Sequence, residues 1–163
     1  MFMFQSPSKG RLTLDQVFDD LLLFISDCPE DQYKLIIGTD SHDLKKYSCF
    51  VTAIIVHRVG KGARYFFRRA NKENINSLRQ KIFYETSLSL EIASKMTGKL
   101  SDKKHKELNS NLEIHLDVGE NGETKEMIRE VVGMVFGSGF SPKIKPYSFG
   151  ASKVADKYTK RAT

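Results

Sequence analysis

The sequence predicts a mixed α/β fold, a five-stranded sheet with helices on its faces. Three observations carry that reading. Three β-branched and aromatic runs follow one another across short polar turns, at residues 35–40, 48–58 and 63–69. Helical and strand periodicities then alternate toward the C-terminus. Neither G-x-G-x-x-G nor G-x-x-x-x-G-K-[ST] occurs, and the first strand runs into Ser41, His42 and Asp43 rather than a glycine-rich turn, which disfavours a dinucleotide or Walker-type site. With 163 residues, 40% hydrophobic and 28% charged, the chain has the size of one compact domain, set at residues 11–163 with residues 1–10 as a flexible N-terminus.

The elements follow in order. Thr13 and Gln16 have the spacing of a capping box, after which Leu14, Val17, Phe18, Leu21, Leu22 and Ile25 recur at helical period until Cys28 and Pro29 stop it. This amphipathic helix precedes the sheet. The three strands come next, the last two separated by Gly60, Lys61 and Gly62. Asn76 and Ser77 offer an N-cap, and Leu78, Ile82, Glu85, Ser89, Ile92 and Met96 then trace one face of a helix ending near Gly98. Glu85 interrupts that apolar face. Leu112, Ile114 and Leu116 alternate with Glu113, His115 and Asp117, which makes residues 112–118 a strand with its acids on one side. Thr124 can cap a helix carrying Ile128, Val131, Val132 and Val135, which Gly137 and Gly139 end. Residues 143–149 read as a short strand despite Pro146, and residues 151–160 as a final helix. The order is α-βββ-α-β-α-β-α.

Composition excludes several classes. No apolar run reaches the roughly 18 residues of a membrane span, and residues 1–11 lack the pattern of a secretory leader, so an intracellular, cytoplasmic address is expected. Cys28 and Cys49 are two cysteines without metal-type spacing, which argues against a disulfide framework and a structural zinc site. No G-x-S-x-G elbow is present. The net charge of +6 is uneven: residues 58–81 hold eight basic side chains against Glu73, and residues 141–163 hold six against Asp156. Separated basic clusters point to a polyanion, most simply nucleic acid, because phosphate neutralisation dominates such binding; the alternative is a solvated surface.

The acids fall at element ends. Asp40 closes the first strand, Glu85 sits in the first crossover helix, Asp117 closes the fourth strand, and Asp156 lies in the last helix. If the first and fourth strands are parallel neighbours, Asp40 and Asp117 meet at one sheet edge. Converging carboxylates without Cys or His suit hard cations, and Mg²⁺ or Mn²⁺ held by carboxylates and substrate phosphates matches this donor set. Two such ions about 4 Å apart activate a water and steady the leaving oxygen of a phosphodiester. Each acid alone also reads as a turn, cap or ion-pair residue. His42 reads as a surface turn histidine that is near enough to Asp40 to reach a metal or phosphate, and His115 shares the Asp117 side of its strand.

The segments at residues 37–42 (Ile-Gly-Thr-Asp-Ser-His), 115–119 (His-Leu-Asp-Val-Gly), 145–146 (Lys-Pro) and 151–157 (Ala-Ser-Lys-Val-Ala-Asp-Lys) resemble the bacterial YkuK-type family, grouped with the ribonuclease H-like superfamily. The resemblance spans nearly the whole chain. It implies a ribonuclease H-like sheet of three antiparallel and two parallel strands, here with an extra N-terminal helix, and a predicted metal-dependent nuclease activity. In that superfamily acids come from the first strand, first helix, fourth strand and last helix. Matched element by element they fall on Asp40, Glu85, Asp117 and Asp156, with Glu91 the alternative in the helix.

The reading is therefore a divalent-metal-dependent nuclease acting on DNA or RNA, with Asp40, Glu85, Asp117 and Asp156 as catalytic metal ligands for two Mg²⁺ or Mn²⁺ ions. Arg68, Arg69, Lys153, Lys157 and Lys160 are the expected nucleic-acid contacts. A non-catalytic nucleic-acid-binding module on the same fold is the alternative. A phosphohydrolase of small phosphoesters is the third reading.

Overall fold

The computed structural model describes residues 2–101 and 105–148. Its centre is a mixed sheet of seven strands, not five, in the order β2-β1-β5-β4-β3-β6-β7. The two additional strands, β1 (Met3–Ser6) and β2 (Gly10–Thr13), form an antiparallel hairpin on the outer edge of β5. Residues 3–6, which the sequence reading leaves outside the fold, are therefore a strand. Phe4 on β1 is fully buried in the main core, and that apolar anchor holds the short hairpin in place.

The predicted meander is present. β3 (Tyr33–Asp43), β4 (Ser48–Arg58) and β5 (Gly62–Lys72) pair antiparallel over their full lengths. Gly60 turns the second hairpin at φ 78°, a left-handed conformation that costs glycine little. Beyond β3 the sheet becomes parallel: β6 (Leu112–His115) pairs with β3, and β7 (Ser141–Lys143) with β6. β6 is shorter than the strand predicted at 112–118, and β7 lies before the one predicted at 143–149, sharing only Lys143 with it. The β7 ladder cannot continue through Pro146, which has no N–H, and Tyr147 N–H turns back to the Ile144 carbonyl at 2.8 Å.

Cross-strand registers explain the core. Ile114, Ile37, Ile54 and Phe66 form one row across β6, β3, β4 and β5, and each is fully buried. The helices α1 (Leu14–Asp27), α2 (Leu78–Lys99) and α4 (Ile128–Gly137) contribute Val17, Leu21, Ile92, Met96, Val131 and Val135 to the same cluster. The short α3 (Lys106–Ser110) adds Leu108. β4 is flanked by a strand on each side, and from Ser48 to Val56 every residue is buried. The Thr13–Gln16 capping box opens α1 as predicted, with both reciprocal bonds formed. Thr124 does not cap α4; a 3₁₀ turn (Lys125–Met127) leads into that helix, and the Thr124 hydroxyl accepts from Gly119 N–H at 3.0 Å. The helix predicted at residues 151–160 lies outside the described residues.

One buried charge ties α1 to the sheet. Asp20, only 4% exposed, accepts from Lys9 Nζ at 2.5 Å and Arg64 Nη1 at 3.1 Å on the same oxygen. Arg64 also lies over the Phe24 ring, 5.0 Å from its centroid. Asp20→Ala is expected to lower stability by about 1–3 kcal/mol, less than for a fully buried pair because both cations retain solvent contact. Urea unfolding measures this, and a loss below about 0.5 kcal/mol would show that the pair contributes nothing beyond an ordinary surface contact.

Candidate active site

Local geometry brings the acids together. The β3–β6 ladder ends at the Gly38–His115 pair, and two residues further along each segment Asp40 and Asp117 come together at the same end of the sheet. α2 supplies Glu85. The helix is fastened to β3 by two polar contacts at matching periods: the Ser41 hydroxyl donates to Glu85 Oε2, and Thr39 Oγ1 shares a 2.7 Å hydrogen bond with Ser89. Residues 39 and 41 are two apart on a strand, and 85 and 89 are four apart on a helix, so each pair presents one face to the other. Thr39 is further bonded to Thr52 on β4 at 2.9 Å. This buried chain of hydroxyls sets the height of α2 over the strand.

Asp40, Glu85 and Asp117 each place a carboxylate oxygen within 4.8 Å of the others. Glu85 is 3% exposed, whereas Asp40 and Asp117 are half-buried. Burial pushes the Glu85 carboxyl well above its usual range; the Ser41 hydrogen bond opposes the shift, while the charges of Asp40 and Asp117 reinforce it. A hard divalent cation would offset that repulsion, and three carboxylates without nitrogen or sulfur donors are the set it takes. Glu91, the alternative in the helix, is exposed, and neither it nor His42 belongs to this group among the described residues. Asp156 lies outside the described residues.

Two cations among the described residues stand beside the acids, of which Lys145 was invisible to sequence reasoning as a neighbour of Asp117. Lys145 Nζ stands 2.7 Å from Asp117 Oδ1, although 28 residues separate them in sequence. Lys81, one turn before Glu85 on α2, bonds Asp43 at 3.4 Å and bears electrostatically on Glu85. His115 bonds Glu113 at 3.0 Å. Burial holds the imidazole below its usual range, so the neutral ring donates its Nε2 proton to Glu113. His115 is thereby engaged with a side chain outside the acidic group.

The expected nucleic-acid contacts divide. Asp40, Val51 and Arg69 lie in one cross-strand row, so exposed Arg69 shares Asp40's side of the sheet, two strand spacings or about 10 Å away. Arg68 lies in the row of Thr52 and Thr39, on the side of the sheet that α2 covers, over the Phe2 ring at 4.6 Å. Lys153, Lys157 and Lys160 lie outside the described residues.

No helix among the described residues is long and apolar enough to cross a membrane. The chain is 36% identical to the "Uncharacterized protein YkuK" of Bacillus subtilis (strain 168) over 168 residues, covering 98% of each. No solved structure matches it at a significant level. The family model for Ribonuclease H-like proteins matches residues 16–160, which include β3, α2 and the segment after β6 that bring the three acids together. The chain belongs to the ribonuclease H-like family.

Proposed function

We propose that the protein is a divalent-metal-dependent nuclease that hydrolyses phosphodiester bonds of DNA or RNA. The observation that carries this is the convergence of Asp40, Glu85 and Asp117 within 4.8 Å, one of them nearly inaccessible to water. Asp40, Glu85 and Asp117, joined by Asp156 as the family resemblance implies, would hold Mg²⁺ or Mn²⁺. When bound, such ions supply a water activated at neutral pH and charge stabilisation for the leaving oxygen. The chain's own part is to fix the carboxylates: Ser41 orients Glu85, and the Thr39–Ser89 bond holds the helix that carries it. Arg69, in the cross-strand row of Asp40, would take a substrate phosphate.

The test is incubation of the purified chain with single- and double-stranded DNA, RNA and a hybrid in Mg²⁺ or Mn²⁺. Cleavage of at least one substrate, abolished by chelation, is expected. Salt-sensitive binding to all four with no cleavage by any divalent ion would replace this reading with that of a non-catalytic binding module.

A further inference from the structure

The turn at residues 144–147 supplies none of the three clustered carboxylates. It is stitched to the strand end that carries Asp117: Leu116 N–H donates to the Lys143 carbonyl at 2.9 Å, and Lys145 N–H donates to the Val118 carbonyl at 2.9 Å. Gly119 makes room for the Lys145 stem, since a Cβ there would lie 3.0 Å from Lys145 Cβ. The backbone thus delivers the Lys145 ammonium to Asp117 while the side chain remains 55% exposed. Two residues on, Tyr147 is 74% exposed, one of the few large hydrophobic side chains in that state among the described residues. A cation held at the Asp117 carboxylate and an unburied aromatic side chain two residues further on make a combination that a purely structural turn does not require.

An exposed lysine–carboxylate pair is weak and readily surrendered. A divalent ion on Asp117 would leave the ammonium without its partner at the place where a substrate phosphate must arrive. Aromatic rings presented to solvent beside a basic group are the usual platform for unpaired bases, because every base has a π-face. We propose that the turn at residues 144–147 is a substrate clamp: Lys145 exchanges Asp117 for a phosphate oxygen of the substrate strand, and Tyr147 stacks on an unpaired base of that strand. The clamp rests on the reading of the acids as a metal-dependent phosphodiester site and narrows its substrate to nucleic acid that is single-stranded at the point of cleavage.

Two measurements on the full chain test it. Without nucleic acid, Mn²⁺ titration followed by calorimetry should show Lys145→Ala binding the ion about two- to five-fold more tightly than wild type, since a weak competing pair is gone. Lys61→Ala, which removes a lysine paired with Asp31 at the far end of the sheet, should leave Mn²⁺ binding unchanged. Equal affinity for Lys145→Ala and wild type would overturn the exchange. With Ca²⁺ in place of Mn²⁺, fluorescence anisotropy should show Tyr147→Ala weakening a single-stranded oligonucleotide about ten-fold and its duplex little, with Tyr147→Phe close to wild type. Lys145→Ala should weaken the single strand as well. Equal losses on single strand and duplex, or no loss on either, would overturn the clamp. Metal-dependent cleavage that survives both clamp variants at wild-type affinity removes the clamp and leaves the nuclease reading standing; wild-type protein that binds no Mn²⁺ removes both.

Discussion

Asp40→Asn or Asp117→Asn is expected to lower metal-dependent cleavage by about three orders of magnitude, because several kcal/mol of charge stabilisation pass through the ligated ions and each 1.36 kcal/mol is ten-fold. Each substitution keeps the side chain's size and its capacity to accept one hydrogen bond, so the fold should persist. Affinity for nucleic acid should hold or rise, since a negative charge has been removed from a phosphate-binding surface. Initial-rate cleavage assays beside anisotropy separate the two effects. Cleavage at more than about a tenth of the wild-type rate in both variants would show that these carboxylates do not hold the chemistry.

Glu85→Gln is expected to stabilise the metal-free protein at neutral pH by at least about 3 °C in Tm while abolishing the stabilisation by Mn²⁺. Glu85 is held above its ordinary pKa by burial and by Asp40 and Asp117, so the folded chain binds its proton more tightly than the unfolded chain does. Stability from this group is therefore complete below the unfolded pKa, near 4.5, and falls as pH rises toward the folded value. Glutamine has no proton to lose, and its amide oxygen can still accept from Ser41. Melting curves across pH should show wild type losing stability relative to Glu85→Gln above about pH 4.5. The ion requires the carboxylate, so its binding should release a proton and its stabilising effect should grow over the same interval. A Glu85→Gln protein that melts no higher than wild type at neutral pH would show that burial and the neighbouring acids do not destabilise the Glu85 carboxylate in the folded state.

Much of this arrangement could be read before any coordinates. The meander was visible because β4 is an almost unbroken β-branched and aromatic run and Gly60 and Gly62 punctuate its hairpin. Glu85 stood out as a carboxylate on an apolar helix face, a position that is costly unless the group has a task. Asp117 followed from strand alternation together with an assumed parallel pairing, which the register bears out. The missed features share a cause. β1 is four residues with no polar and apolar alternation, and its place depends on docking to β5, a contact about sixty residues away. Lys145 meets Asp117 only because β7 lies beside β6, and a basic residue carries no local signal for such a pairing. The split between Arg68 and Arg69 was available from period-two alternation alone, since neighbours on a strand point to opposite sides.

The position of β4 decides how the site comes apart. With a partner strand on each edge and no exposed residue from Ser48 to Val56, its amides can exchange with solvent only through opening of the whole fold, and β3, paired to it over eleven residues, shares that protection. β6 and β7 hold by four and three register pairs at the far margin, so hydrogen exchange there should outpace β3 and β4 by orders of magnitude. Asp40 thus rides on the last region to open and Asp117 follows one of the first. A partially opened molecule would keep one carboxylate in place and lose its partner, and any ion bridging the two would act as a latch across the short β3–β6 seam, slowing exchange on β6 far more than on β4.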